Sequence, residues 1–172
     1  ETTELLRALS SMRMDMVPRA IAQALNRAGF AARTKAARMV SEETKIGVNA
    51  VRRRIKTFKR DKAFPGKLVY TMRVSLRPVQ IIYAKDRKQT EYGWSATGKD
   101  FVYAFQATTK KGHKSIWQRE TRKRYPIKPV RVDISESLKR NTEKAAETTG
   151  REVFVKRLKH EIKRRLPAFR VV

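Results

Sequence analysis

Leu68-Val69-Tyr70-Thr71-Met72-Arg73-Val74-Ser75-Leu76-Arg77 is the stretch that decides the fold class. Leu68, Tyr70, Met72, Val74 and Leu76 alternate with Val69, Thr71, Arg73, Ser75 and Arg77. Successive side chains of a strand point to opposite faces, so period two with one polar face predicts a half-buried antiparallel strand. Pro78 interrupts it, as suits an edge or a turn, and residues 79–85 are expected to continue as strand. Residues 92–96 and 101–108 flank Thr97-Gly98-Lys99-Asp100 as a hairpin, with Phe101, Tyr103 and Phe105 on one face. A turn at Lys110-Lys111-Gly112 leads to a further strand over residues 115–120.

On both sides of this region the period changes. Residues 2–16 read as a short helix, and Pro18 suits the first turn of a second one, where its missing N–H is harmless. Ile21, Leu25, Ala28, Ala32, Ala36 and Met39 recur at steps of four and three, which marks one helical face. That face is rich in alanine and can lie close to a neighbour. Residues 44–47 break the run. Val48, Val51, Ile55 and Phe58 form a second stripe, whose other face carries Arg52, Arg53, Arg54, Lys56, Lys59 and Arg60. Phe64-Pro65-Gly66 is punctuation. Downstream, residues 122–129 are extended and bound by prolines. Ser135 can cap a helix that begins at Glu136 and runs to Leu166 with a break near Gly150. Phe154, Leu158, Ile162 and Leu166 are its stripe, and Pro167 stops it. Helices, then strands, then a helix give an α+β fold with N-terminal helices, a central antiparallel sheet of about four strands and a C-terminal helix. A single domain over residues 1–172 is expected, helical over 1–62, mostly strands over 66–133 and helical over 135–166.

The chain has 172 residues, 40% of them hydrophobic, enough for a real core. Charge is its loudest feature: 42 Lys and Arg against 16 Asp and Glu, a formal net charge of +26. Such self-repulsion opposes a compact state unless something acidic screens it. Nucleic acid, an acidic protein surface or an anionic membrane would serve, and the first two are favoured over a merely solvated basic surface. The candidate contact residues are Arg52, Arg53, Arg54, Lys56, Lys59 and Arg60, together with Lys163, Arg164 and Arg165. The absence of cysteine excludes disulfides and thiolate metal sites. No apolar run approaches the roughly 20 residues of a membrane span, so no membrane partner is expected. The chain begins at Glu1 rather than methionine, which leaves room for residues in front of it, a targeting segment included.

Catalytic groups are not apparent. His113 sits beside a turn glycine and His160 among Lys and Glu, and both read as solvated surface. No glycine-rich phosphate loop is present. Asp86 with Glu91, or Asp100 with Glu120, could meet on a sheet to hold the Mg²⁺ of a nuclease, but nothing in their spacing requires it. No enzyme activity, cofactor or metal is expected. Residues 41–55 resemble a helix-turn-helix superficially, with Lys45 where such turns usually have glycine; an ordinary helical corner is the better reading. Tyr70, Tyr83, Tyr92, Trp94, Phe101, Tyr103, Phe105 and Trp117 invite comparison with base-stacking platforms. Their alternating strand positions favour core packing instead. Arg119, Arg124, Tyr125, Pro126 and Ile127 fall in an extended, proline-held arm. Tyr125 and Ile127 between basic residues have the makeup of a subunit interface, against the alternative that both pack on their own sheet.

Three blocks occur in a telling order. The first is Val17-Pro18-Arg19-Ala20, then Ala24-Leu25-Asn26-Arg27 and Glu43-Thr44-Lys45. The second is Lys111-Gly112-His113-Lys114-Ser115-Ile116-Trp117-Gln118-Arg119. The third is Arg124-Tyr125-Pro126-Ile127-Lys128, followed by a basic C-terminal helix. Together they resemble the minor tail protein Z family of bacteriophage lambda and related prophages, also called tail-completion proteins. The resemblance implies a structural part in virion assembly. Members finish the tail at the end that joins the head and help the genome end reach its place, without catalysis. The implied partners are tail-tube, terminator, tape-measure or connector proteins, and genomic DNA in the channel. By analogy with other head–tail joining proteins, a homo-oligomeric ring is implied too. The implied location is the virion tail, after assembly in the host cytoplasm. The alternative from the residues alone is a sequence-nonspecific DNA- or RNA-binding protein or a helix-turn-helix regulator. The resemblance spans most of the chain in the same order; no block carries it over residues 64–98, where the strands rest on periodicity.

Overall fold

The computed structural model describes the backbone of residues 2–109, 112–121, 123 and 125–165, and the side chains of these except 2–15 and 165. Helix α1 runs unbroken over Thr2–Thr44, with Pro18 inside it, so the two expected helices are one. Proline removes a single backbone donor, and in a helix of 43 residues the ladder on either side carries the chain past the gap. The helix buries Ala20, Ala24, Ala28, Ala32, Ala36 and Val40, at steps of four. Ile21, Leu25 and Met39 lie half-buried beside that line rather than on it.

At the end of α1 the Thr44 hydroxyl donates back to the Val40 carbonyl at 2.7 Å. Lys45 then takes a φ of 57°, the left-handed conformation that ends many helices and that glycine usually supplies. Helix α2, Val48–Arg52, has only five residues. The expected continuation through Phe58 is not a helix: the chain enters strand β1 (Ile55–Lys56) and then a 3₁₀ turn, Lys59–Asp61. A helix here would set Arg52, Lys56 and Arg60 one above another, and like charges four apart repel. Asp61 offers an alternative, since its carboxylate accepts the Phe58 N–H at 3.1 Å. Val51 and Ile55 are buried all the same, while Phe58 is exposed.

The alternating stretch departs furthest from expectation. Only Arg73–Val74 forms a strand, β2, which pairs with β1. Leu68, Val69 and Leu76 are exposed. Alternation gives a segment two faces but not a neighbour to pair with. What holds residues 68–73 is a set of side-chain and single backbone bonds, described below.

The sheet is divided rather than continuous. Strand β3 (Val79–Gln80) pairs with β10 (Arg131–Val132), and a 3₁₀ turn, Ile81–Tyr83, takes the place of the rest of the expected strand. Strands β4 (Lys88–Thr90), β5 (Gly93–Ala96) and β6 (Lys99–Val102) form one antiparallel meander. Strands β7 (Phe105–Thr108), β8 (Lys114–Arg119) and β9 (Ile127–Pro129) form another. The hairpin between β5 and β6 turns at Thr97 and Gly98, with φ of 55° and 70°. Two-residue hairpin loops need such left-handed pairs, and Asp86 clamps this one by accepting the Thr97 N–H at 3.0 Å. The expected strand 101–108 is split at Tyr103, whose φ is 59°. Phe101 therefore lies opposite Trp94, and Phe105 opposite Trp117 in the other sheet.

Helix α3, Ser135–Ala145, begins at Ser135 itself. Asp133, two residues before it, accepts the Ser135 N–H at 2.8 Å; this bond is the chief cause that holds the Asp133 carboxyl below its ordinary value. The break near Gly150 is a π-helical turn, Ala146–Gly150, from which α4 continues over Arg151–Arg165. Phe154 and Leu158 are half-buried and Ile162 is exposed. Leu166 and Pro167 lie outside the described residues, as do Lys110 and Lys111 of the turn before β8.

The chain gathers into two compact units. One comprises the described parts of Glu1–Ala36, Lys56–Arg73 and Thr142–Val172. In it the Asn26 amide clamps the Ala63 backbone, donating to its carbonyl and accepting its N–H, both at 2.9 Å. Asp61, only 2% exposed, accepts Arg73 Nε at 3.0 Å and Nη2 at 2.9 Å, and its carbonyl takes the Thr71 N–H at 2.8 Å. The Arg73 guanidinium holds the Asp61 carboxyl below the usual range, and Asp61 raises Arg73 in return. The Tyr70 ring lies against Gly29 so closely that a Cβ there would stand 2.1 Å from it. The other unit comprises Ala37–Ile55 and Val74–Asn141. Its largest fully buried side chains include Val40, Ile46, Val51, Ile55, Val79, Ile81, Ile116 and Leu138. There Glu43 accepts the Asn141 amide at 2.6 Å and pairs with Arg140. The Asn141 bond is the main reason the Glu43 carboxyl lies below its ordinary value.

Candidate anion-binding interface

Arg53 and Arg54 follow α2 at once, and two hydrogen bonds fix the second of them. Its carbonyl accepts the Ser75 N–H at 2.8 Å, and its Nη2 donates to the Pro78 carbonyl at 2.8 Å. That ties Arg54 to the segment bearing Arg77, which stands immediately before Pro78. Arg131 arrives from β10, opposite Gln80 in the β3–β10 ladder. Tyr83 closes the 3₁₀ turn after β3; its carbonyl accepts the Gly47 N–H at 2.8 Å, and the residue is 44% exposed. These residues, with Ala50, Pro78 and Val79, line a cleft of about 350 Å³ within the second unit.

No lining residue is acidic. Four guanidinium groups in one concave site make a strong positive potential. Each offers five N–H donors in a planar fork that matches phosphate or carboxylate oxygens. The lining carries no nucleophile beside a base. Anion recognition is what this arrangement can do. The carboxylates fixed by ion pairs lie elsewhere: Asp61 on Arg73, Glu43 on Arg140, Glu120 on Lys128 and Glu161 near Arg164.

The basic residues expected to share one helical face do not. Arg52, Arg53 and Arg54 belong to the second unit, whereas Lys56, Lys59 and Arg60 belong to the first, on β1 and the following turn. Arg60 lies over the Phe58 ring, 5.9 Å from its centre. Lys163 and Arg164 are exposed on α4 of the first unit; the Arg165 side chain is outside the described residues. Arg77 and Arg131, which complete the cleft, escaped sequence reasoning. Arg77 was simply a polar position of the alternating stretch, and Arg131 one cation among many. A five-residue α2 spans fewer than two turns, little for a recognition helix.

Of the proposed arm, Arg119 lies on β8 with its guanidinium 5.5 Å from the Phe105 ring centre. Ile127 sits opposite Arg119 and is half-buried, so the arm is in part an edge strand of its own sheet. Tyr125 is 64% exposed and Pro126 is exposed; Arg124 falls outside the described residues. The aromatic residues are less buried than expected. Tyr92 and Tyr103 are 68% and 78% exposed, because the left-handed turn at Tyr103 ends the strand that would have buried it. With Phe105 and Arg119 they line a wider cleft of about 1190 Å³. Tyr70, Trp94, Phe101, Phe105 and Trp117 are half-buried. Both histidines are exposed.

Among the described residues, no group of three or more His, Cys, Asp or Glu is placed to hold a metal ion. No helix among them is long and apolar enough to cross a membrane. A protein-family model described as prophage minor tail protein Z matches residues 2–170. No curated protein and no solved structure compared with the chain matches it.

Proposed function

The chain belongs to the prophage minor tail protein Z family, a structural component of phage tails, and from that premise we propose that it completes the tail at the end that joins the head and helps to position the genome end. The observation that carries this placement is the acid-free cleft of Arg53, Arg54, Arg77 and Arg131 on a chain of net charge +26. Such a surface gains most beside a polyanion, and the head-proximal end of a tail is where the genome enters. Catalysis has no part in this role. The protein assembles in the host cytoplasm with tail-tube, terminator, tape-measure or connector proteins, as a ring of identical subunits. The arm at Arg119, Arg124, Tyr125, Pro126 and Ile127 serves as subunit contact. Its support is the exposed Tyr125 ring beside an edge strand that Pro126 precedes and Pro129 ends, neither with an N–H donor, so that side chains rather than an added strand would make the contact.

Immunogold labelling of a tagged chain in assembled virions tests the placement. Label at the head-proximal end is the expected result. Label at the distal tip or along the tube would remove the proposal. A prophage lacking the chain should yield tails that fail to join heads productively.

A further inference from the structure

We propose that the cleft of Arg53, Arg54, Arg77 and Arg131 binds the sugar–phosphate backbone of a single-stranded nucleic acid, with a base stacked on Tyr83. The proposal rests on the reading above that the cleft faces a polyanion, and it names which one. Three observations select it. The first is charge without relief: four guanidinium groups and no lining carboxylate suit a ligand that repeats its negative charge along a chain. The second is the fixing of Arg54 on the Pro78 carbonyl, which orients its remaining donors before any ligand arrives. The third is Tyr83. Its backbone is held through Gly47 while its side chain remains partly exposed in the lining. A base in a duplex hides its faces in the stack, whereas a base of a single strand can lie on an aromatic ring. A concave site of about 350 Å³ admits a nucleotide rather than a helix.

The test is fluorescence anisotropy with the full chain and three labelled probes: an oligothymidylate of about 16 nucleotides, a DNA duplex with the same number of phosphates, and a polyglutamate peptide of equal charge. Arg77→Ala and Arg131→Ala should each weaken the single strand and lower the slope of log affinity against log salt by about 0.7. Tyr83→Ala should weaken it about fivefold or more, and Tyr83→Phe should retain most of the affinity. Lys88→Ala with Lys139→Ala, two exposed cations outside the cleft, should change affinity less than the Arg77→Ala and Arg131→Ala pair. Should the alanine variants fail to fold, Arg77→Lys and Arg131→Lys serve instead: charge and salt slope stay while affinity falls, because the planar fork is lost. Equal losses from the control pair would overturn the proposal, as charge alone would then suffice. So would tighter binding of the duplex with no effect of Tyr83→Ala. Polyglutamate bound as tightly through the same arginines would assign the cleft to an acidic protein instead. The binding is read on purified protein and the virion label on particles, so each proposal can fail without the other.

Discussion

Asn26 and Ala63 provide the sharpest test of the first unit. The Asn26 side chain makes two hydrogen bonds, both 2.9 Å, to the N–H and the carbonyl of one buried residue. Asn26→Ala deletes both and leaves two backbone groups without their partner. An unsatisfied buried group costs about 1–3 kcal/mol. Asn26 is half-buried, so water partly relieves both, and the helix propensity of alanine returns about 0.5 kcal/mol. The net loss is about 2 kcal/mol. In urea, with a slope of about 2–3 kcal/mol/M for a chain of this size, the midpoint should fall by about 0.7–1 M. The melting temperature should fall by about 4–8 °C. Asn26→Asp sharpens the test. One carboxylate oxygen can still accept the Ala63 N–H, but the other would face the Ala63 carbonyl. Protonation turns that oxygen into a donor, so the folded state favours the neutral acid and raises its pKa. Stability of this variant should therefore be regained at low pH and lost as pH rises through the raised value. A midpoint within about 0.2 M of wild type for Asn26→Ala, or an aspartate variant as stable as wild type at neutral pH, would refute the reasoning.

Further outcomes follow from other sites. Gly29→Ala should destabilise although alanine favours a helix by about 1 kcal/mol, because the new Cβ meets a Tyr70 ring whose hydroxyl donates to Thr57 at 3.2 Å; on a Tyr70→Ala background the sign should reverse, and a chemical-denaturation cycle reads both. The lowered Glu43 carboxyl contributes stability that is present above its ordinary value of 4.5 and lost as pH falls through the folded-state value. Glu43→Gln should accordingly flatten the acid limb of the stability curve, and identical limbs for the two proteins would show the contact with Asn141 and Arg140 to be idle. Tyr125→Ala should leave the melting temperature nearly unchanged while weakening assembly by analytical ultracentrifugation, whereas Ile127→Ala should cost about 1–2 kcal/mol. A large thermal loss at Tyr125 would end the interface reading for that residue.

Local signals in the sequence read well where one residue type decides the geometry. The stop after Thr44, the hairpin at Thr97 and Gly98, strand β8 and the break at Gly150 all fall where residue chemistry put them. Periodicity failed where a partner decides. Residues 68–76 alternate faultlessly, yet most of them pair with no strand, because Asp61 and Gly29 claim Thr71, Arg73 and Tyr70 instead. Asp61 looked like one stray acid in a basic run, and nothing nearby in the sequence announced its bond to Arg73, twelve residues on. The basic face of residues 52–60 was legible as charge but not as place. The cleft needed Arg77, which the bonds of Arg54 to Ser75 and Pro78 hold beside it, and Arg131, which the β3–β10 pairing brings in.

The π-helical turn at Ala146–Gly150 has the effect of one surplus letter in a line of text. Before it, Leu138, Asn141, Thr142 and Ala145 are sheltered. A plain helix would carry that phase on to residues 148–149, 152 and 156, yet Thr148, Glu152 and Lys156 are exposed. The half-buried positions are Thr149, Gly150, Val153, Phe154, Leu158 and Glu161, from Val153 onward the same rhythm one position late. Each α-helical residue advances the side chain by about 100°. Closing the turn into plain α-helix with every residue kept would thus swing everything after it by that angle. Glu152 and Lys156 would move toward the places that Val153 and Arg157 now hold, and Phe154 would turn away from its own. For this stretch of the chain, loss of one codon between 146 and 150 is therefore a mild event, since it removes the surplus residue and leaves Val153, Phe154 and Leu158 in phase with Leu138 and Ala145.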